Sequence, residues 1–512
     1  MTPAILYRNG RVHSPTDPYA TALLVRDGRI DWLGAEADAP SADETVDLAG
    51  CLVTPAFVDA HTHVTSTGTA LLGLDLSGAR SAGEVLDRTA AHAAQLPPDA
   101  LVLGHGWDES TWPVPEPPGA AELERAVRGR RAYLSRADVH SAVVSTPLLA
   151  LVQPDTPGWG ARGWLRRDAH HEVRRVAMGS IPTAQRAAAG RAMLRRAASL
   201  GIAAVHECGG PWISSEDDFS QLLKLSGQGL PEVYGYWGEL GGAVKARELG
   251  AVGAAGDLFA DGALGSHTAH LRTPYVDADT SGHGYLTAEQ AAAHLVECTE
   301  LGVQGGFHAI GDKAIATVLA GFALAAAKVG MDRLRDARHR VEHLEILDKQ
   351  LIAGLVAFGV VASVQPAFDR LWGGADKQYA QRLGAARALA SNPFSALAGV
   401  GVALAFGSDS PVTPLDPWGT VRAAMRHHNP THRVGFRTAF AAHTRGGWRA
   451  ARRDGDGVLS PGAPATFAVW DTPALPTLTF PGPDEPDPEL PTCRRTVLRG
   501  EVIYDAECQW ES

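Results

Sequence analysis

The chain of 512 residues is 45% hydrophobic and 20% charged, with a formal net charge of -11. This is the composition of a soluble globular enzyme, long enough for a large domain with an accessory one, and its acidic balance excludes nucleic acid and anionic membrane surfaces as the main partner. Met1 to Gly10 lacks the basic start, apolar core and cleavage site of a signal peptide, and no apolar run approaches bilayer length; the expectation is a cytoplasmic protein acting on a small molecule, with a homo-oligomer allowed.

Residues 4–8, 22–26 and 29–33 are short β-prone pieces separated by the tight-turn signals Asn9-Gly10 and Asp27-Gly28. Residues 462–470 and 496–504 have the same texture, so the two chain ends, 1–54 and 457–512, are expected to pair into one small β-sandwich. Between the late strands, the Pro-rich acidic stretch Pro473 to Pro491 reads as a surface linker. The main domain is 55–456. Within it, residues 65–180 carry Trp, Pro and Gly clusters and predict a loop-rich inserted subdomain laid over a pocket.

From Ile181 onward helices alternate with short apolar strands: helix 183–200, strand 202–206, a strand tip at 258–260, and a helix from the Thr287/Gln290 capping box to Gly302. Strand 303–308, helix 312–329, strand 340–343, helix 348–358, strand 360–364, helix 393–398 and strand 402–407 follow. Repeated βα units require a parallel sheet covered by helices.

Residues with metal-ligating side chains fall at the ends of these strands. Thr54 to His63 is an apolar run ending in His-x-His, and the period-two alternation of a strand points His61 and His63 to the same side. His206, Glu207, His308, His343 and Asp409 occupy later strand ends. In a closed barrel those ends ring one site, whereas in an open sheet the outer ones lie too far apart to share an ion; a (β/α)8 TIM-type barrel in the α/β class is the economical fold. Two histidines from one strand, one from each of two later strands and a final carboxylate suit zinc, or iron, manganese or nickel, with a position left for water. Zinc lowers the pKa of such water to about 7.

Asp409, rigidly placed after the strand in Phe406-Gly407-Ser408-Asp409-Ser410, is the candidate general base and then acid. The plainer readings are a core or helix-entry histidine for His308 and His343, and an N-cap aspartate for Asp409. His170, His171, His294, His427, His428 and His432 lie away from strand ends and read as surface or supporting residues. The cysteines Cys51, Cys208, Cys298, Cys493 and Cys508 have no CxxC spacing, which argues against a disulfide framework or a thiolate zinc site.

The set His61-Thr62-His63, Phe259 to Ser266, Phe307 to Asp312, Val341-Glu342-His343 and Gly407 to Pro411 resembles the amidohydrolase superfamily, and within it the amidohydrolase family 3 branch, the YtcJ-like and N-substituted formamide deformylase-like enzymes. Gly104 to Asp108 and Asp138 to Ser141 extend the resemblance into the insert. It implies a metal-bearing barrel with a β-sandwich from both chain ends, in which a metal-bound hydroxide cleaves amide-type bonds. His61, His63, His308 and His343 become metal ligands, Asp409 the proton shuttle and a further ligand, and Trp107, Asp108, His140, Asp261 and His267 candidate substrate contacts. Relatives often carry a lysine where this chain has Asp257, so one ion or two is open. Glu207 is the first candidate for a bridging carboxylate, ranked above Asp257 because the latter reads as a strand start. Hydrolysis of an amide, N-formyl or N-acyl bond leads; deamination of a heterocycle is disfavoured because Asp312 stands where deaminases tend to have glutamate; a catalytically silent ligand-binding relative would have lost ligands that are all present here.

Overall fold

The computed structural model describes residues 3–98, 100–472 and 489–507. Eight strands form one sheet in chain order: β1 (Phe57–Thr62), β2 (Ile202–Gly209), β3 (Glu232–Trp237), β4 (Gly253–Ala254), β5 (Gln304–Ala309), β6 (Arg340–His343), β7 (Val361–Val364) and β8 (Ala403–Phe406). Every pairing is parallel. The ring closes where the chain leaving β8 meets β1: Asp409 N–H donates to His61 O at 2.7 Å, His63 N–H to Ser410 O at 2.9 Å, and Thr62 pairs with Ser410.

All residues of β1 and β2 are buried, because one face lines the barrel and the other lies under helices. The covering helix Ala288–Leu301 begins at the Thr287/Gln290 capping box and stops at Gly302, whose φ of 70° ends it in left-handed backbone. β3 was not legible in the sequence, because Gly235 interrupts its alternation and no ligand-type residue marks its tip. The fourth strand ends at Ala254; Leu258 to Ala260 is a later extended segment in which only Phe259 bridges to His308. The main apolar cluster joins Ile202, Val205, Phe307, Val341 and Phe406 to helix side chains such as Met193, Leu295 and Val318.

Two further sheets form the β-sandwich. One orders Arg29–Gly34, Ala22–Arg26, Ile5–Arg8 and Glu44–Asp47; the other, Arg11–Val12, Leu52–Pro55, Phe467–Trp470, Cys493–Leu498 and Glu501–Asp505, so both chain ends share a sheet. Tyr7, Leu23, Val25, Val53, Phe467 and Val497 fill the space between them. The stretch Pro473 to Pro491 lies largely outside the described residues. Among these residues no helix is long and apolar enough to cross a membrane.

The insert is not loop-rich. Leu74–Asp75, Val102–Trp107, Ala132–Arg136, Ser141–Val144 and Trp164–Arg166 build a five-stranded sheet with its own apolar core. Glycines at 104 and 106 and a fully buried Arg136 disguise these strands, because the arginine faces three carboxylates and not solvent.

Trp470 ties sandwich to barrel. Its indole N–H donates to Thr54 Oγ1 at 2.9 Å, and its ring lies 5.7 Å from Phe57 and 5.3 Å from Trp418. A Cβ at Gly201, whose φ is +76°, would collide with it. Trp470→Ala is expected to cost about 3–5 kcal/mol of stability, read from the shift in denaturant midpoint; a shift below about 1 kcal/mol would show that the two domains do not share this core.

Candidate metal and active site

Each donor is placed by the end of a barrel strand. His61 and His63 leave β1 on the same side, with ring centroids 5.5 Å apart. His308 and His343 lie at the ends of β5 and β6, 4.4 Å apart by ring centroid. Asp409 Oδ1 stands 3.5 Å from His61 Nε2 and 3.2 Å from His63 Nε2. Asp257 enters the same space: Oδ1 is 3.4 Å from His61 Nε2 and 3.8 Å from His343 Nε2, and Oδ2 is 3.2 Å from His63 Nε2. Among the described residues three groups of converging donor atoms include His61: with His63 and Asp409, with Asp257 and His343, and, at its Nδ1 side, with Cys208 and Glu342.

The backbone at these positions is held away from its relaxed form. His343 (φ 71°) and Asp409 (φ 56°) adopt left-handed backbone, which non-glycine residues keep only when their surroundings enforce it.

The ring tautomers are set from outside. His61 Nδ1–H donates to Glu342 at 2.8 Å, His343 Nδ1–H to Gln365 Oε1 at 2.8 Å, and His308 Nδ1–H to the Asp261 carbonyl at 3.3 Å. Each Nε2 lone pair is thereby turned inward, the usual arrangement around a metal. His61 Nε2, His308 Nε2, Asp257 Oδ1 and Asp409 Oδ1 are buried with no hydrogen-bond partner. Unpartnered imidazole and carboxylate atoms that converge in a buried space fit a divalent cation.

Burial alone would lower the His63 pKa, but the adjacent carboxylates of Asp257 and Asp409 outweigh it and raise it to about 10. For His343 burial is likewise outweighed by Asp257 and Asp409, giving about 9. Burial would raise Asp257, yet His61, His343 and His63 hold it well below the usual carboxylate range. His308, buried and beside His343, is pushed well below the ordinary histidine value.

Asp257, and not the higher-ranked Glu207, is the carboxylate that stands among the donors. Asp257 lies three residues past β4, at the catalytic end of the barrel. Glu207 instead accepts the Val64 N–H at 2.6 Å, because the alternation of β2 turns it away from the side occupied by His206 and Cys208; burial pushes its carboxyl up to about 7. Cys208 Sγ lies 3.5 Å from His61 Nδ1, and His206 Nδ1 accepts from Arg340 at 3.0 Å, so both support the barrel interior.

Most of the expected substrate contacts are structural. Trp107 is buried in the insert, its N–H donating to Leu134 O at 2.8 Å, and Trp112 and Trp164 pack against it. Asp108 pairs with Arg136 at 2.8 Å. Asp261 accepts the N–H groups of His270, Ile310 and Gly311 at 2.7–2.9 Å, and burial pushes its carboxyl up to about 7. His267 pairs with Asp277 at 3.0 Å, outside the donor groups. His140 stacks its ring on the donor His308 at 5.3 Å, and Asp261 touches the same imidazole only through its backbone carbonyl. The surface reading fails for His170, His171, His294 and His427, which are buried.

Glu342 was missed as an orienting group. A charged pair two residues apart, Arg340 and Glu342, on an otherwise apolar strand was the available signal, and both are fully buried.

The profile described as "Amidohydrolase family" matches residues 44–504. The Arabidopsis thaliana protein LONG AFTER FAR-RED 3 is 28% identical over 91% of this chain and 87% of its own length. The Bacillus subtilis protein YtcJ is 25% identical over 94% of this chain and 96% of its own. An uncharacterized metal-dependent hydrolase from Pyrococcus furiosus superposes with a TM-score of 0.71 at 25% identity, covering 91% of this chain and 98% of that one.

Two outcomes are expected. Glu342→Gln should weaken metal affinity about 10–100-fold by competition with a chelating dye; unchanged affinity would remove the orienting role. The raised values of His63 and His343 add stability to the metal-free protein that is complete below the ordinary value of 6.5 and lost as pH rises through about 9 and about 10. Metal must displace these protons, so calorimetric titration near pH 8 should show net proton release, and Tm should fall with rising pH more steeply without metal than with it.

Proposed function

The chain belongs to the amidohydrolase family, and from that premise we propose that it hydrolyses the carbon–nitrogen bond of a small amide, N-formyl or N-acyl compound, with zinc as the ion. The N/O donor set supports zinc, and Asp257 between His61, His63 and His343 supports a carboxylate shared by two ions. His61, His63, Asp257 and Asp409 would hold one ion and Asp257, His308 and His343 the other. When bound, such ions polarise a carbonyl and make water acidic enough to attack at neutral pH.

The observation that carries the reading is Asp409. Its Oδ1 is buried, has no hydrogen-bond partner and stands beside two imidazoles, while its backbone is fixed by the 2.7 Å bond to His61 O. It takes the proton of the attacking water as the carbon–oxygen bond forms and passes it to the nitrogen as the carbon–nitrogen bond breaks. Asp312, the acid a deaminase would use, accepts the Arg272 N–H at 2.9 Å at the start of its helix and is engaged away from the donors.

Mass spectrometry of N-formyl amines, N-acyl amines, primary amides, lactams, esters and aminated heterocycles incubated with zinc-reconstituted protein tests the proposal. Asp409→Asn should keep its folded circular dichroism and lose turnover by about 10²–10⁴-fold. Full activity in that variant would remove the shuttle, and ring deamination in the parent would replace the amide reading.

A further inference from the structure

The donors stand on a wall between two unequal spaces. Asp257 opens onto a cavity of about 700 Å³ lined by Leu258, Phe259, Tyr285, Leu286 and the half-exposed Trp212, and also by charged side chains, Arg175 and Glu239 among them. His308, His343 and Asp409 line a separate space of about 20 Å³ walled by Phe368, Trp372 and Tyr379. A single water needs about 10–15 Å³ measured in this way, so the second space holds a group of about one heavy atom.

The two spaces divide the catalytic carboxylates between them: Asp257 lines only the large one and Asp409 only the small one. A proton passes from an acid to a leaving atom only within about 2.6–3.2 Å. If Asp409 is the shuttle, as proposed above and on which this step rests, the leaving nitrogen sits on the small side. The acyl substituent then extends past Phe259 into the large side, where its apolar part meets Leu258, Tyr285 and Leu286. A bulky substituent on nitrogen would have to occupy the space walled by Trp372 and Tyr379, where there is no room for a ring.

We infer that the substrate is a primary amide of a bulky apolar or aromatic acid, with ammonia as the leaving group. Water adds its oxygen to the carbonyl carbon, the carbon–nitrogen bond breaks, Asp409 carries the water proton to nitrogen, and the products are the carboxylic acid and ammonia. This order is the reverse of a formamide bearing a large amine, which places its bulk on nitrogen.

The zinc-reconstituted full chain would be given 4-phenylbutanamide, N-benzylformamide and N-benzyl-4-phenylbutanamide. The inference expects kcat/KM for the primary amide to exceed that for either benzylated compound at least tenfold. Trp372→Ala, which opens the small space, should raise the preference for N-benzyl-4-phenylbutanamide relative to the primary amide at least tenfold. A preference for N-benzylformamide overturns the inference while leaving the amidase reading intact.

If none of the three is cleaved, the amidase reading is the one that suffers, and the assignment of the cavities is decided by calorimetric binding of 4-phenylbutanoate and benzylamine. Acid binding that is at least tenfold tighter than amine binding, and weakened at least tenfold by the cavity-filling Leu286→Trp, supports it. Equal or tighter amine binding, or acid binding indifferent to Leu286→Trp, overturns it.

Discussion

The seam that closes the barrel is also what assembles the site. A parallel sheet closes only if its first and last strands meet, and here the meeting is made by backbone bonds between β1 and the chain leaving β8, with the Asp59 carboxylate beside them. The Asp59 carboxylate accepts the Ser408 N–H at 2.8 Å and the His61 N–H at 3.3 Å, while Asp409 N–H reaches His61 O at 2.7 Å. Burial pushes the Asp59 carboxyl up to about 6, with its hydrogen bonds from Ser408 and His61 working against that rise. Gly407 is required at this seam because a Cβ would strike the His61 backbone and the Asp59 carboxylate. The residue proposed to move the proton therefore takes its position from the same bonds that close the fold.

Inside the barrel a second constraint fixes the imidazole of His61. Arg340 is fully buried, and an unpaired charge there would be prohibitively costly. Its guanidinium donates to both Glu342 oxygens, to His206 Nδ1 at 3.0 Å, to Ala60 O at 2.6 Å and to Ser363 Oγ at 2.9 Å, and lies 4.2 Å from the Tyr236 ring centre. A lysine lacks the planar fork needed to serve these partners together. Arg340 outweighs the burial that would otherwise raise the Glu342 carboxyl, holding it far below the usual range. Glu342 thus stays an acceptor for His61 Nδ1–H, which keeps Nε2 directed at Asp257 and Asp409.

What was legible in the sequence follows from this architecture. Strand tips of a barrel converge, so His61, His63, His308, His343 and Asp409 could be grouped from strand ends alone, and the (β/α)8 fold came with them. Asp257 was ranked too low because β4 is only Gly253–Ala254, and the apolar Leu258-Phe259-Ala260 that follows imitates a strand. Glu207 was ranked too high because adjacency to His206 in sequence means opposite faces on a strand. In the insert, tryptophan and charge suggested a pocket lining, whereas the rings of Trp107, Trp112 and Trp164 pack on one another and the carboxylates surround Arg136.

That insert explains why the metal-site motifs speak for a chemistry and say little of a substrate. Arg136 gathers Asp108, Glu109 and Asp138, and Asp138 also accepts the Ser266 hydroxyl at 2.7 Å, which fastens the insert to the loop beyond β4. The turn that follows forces Val139 to φ 49°, an unfavourable conformation for a β-branched residue, and delivers His140 onto His308. A buried ionic hub and a strained turn thus place one imidazole on the wall of the smaller space, against His308 and Phe259. The donors belong to strand ends that the barrel itself determines, but the walls above them are built by the insert and by the segment carrying Trp372, Gln378 and Tyr379. Substitutions in those walls can reshape what enters without moving a donor, so relatives that keep the strand-end motifs are free to differ in the substrates they accept.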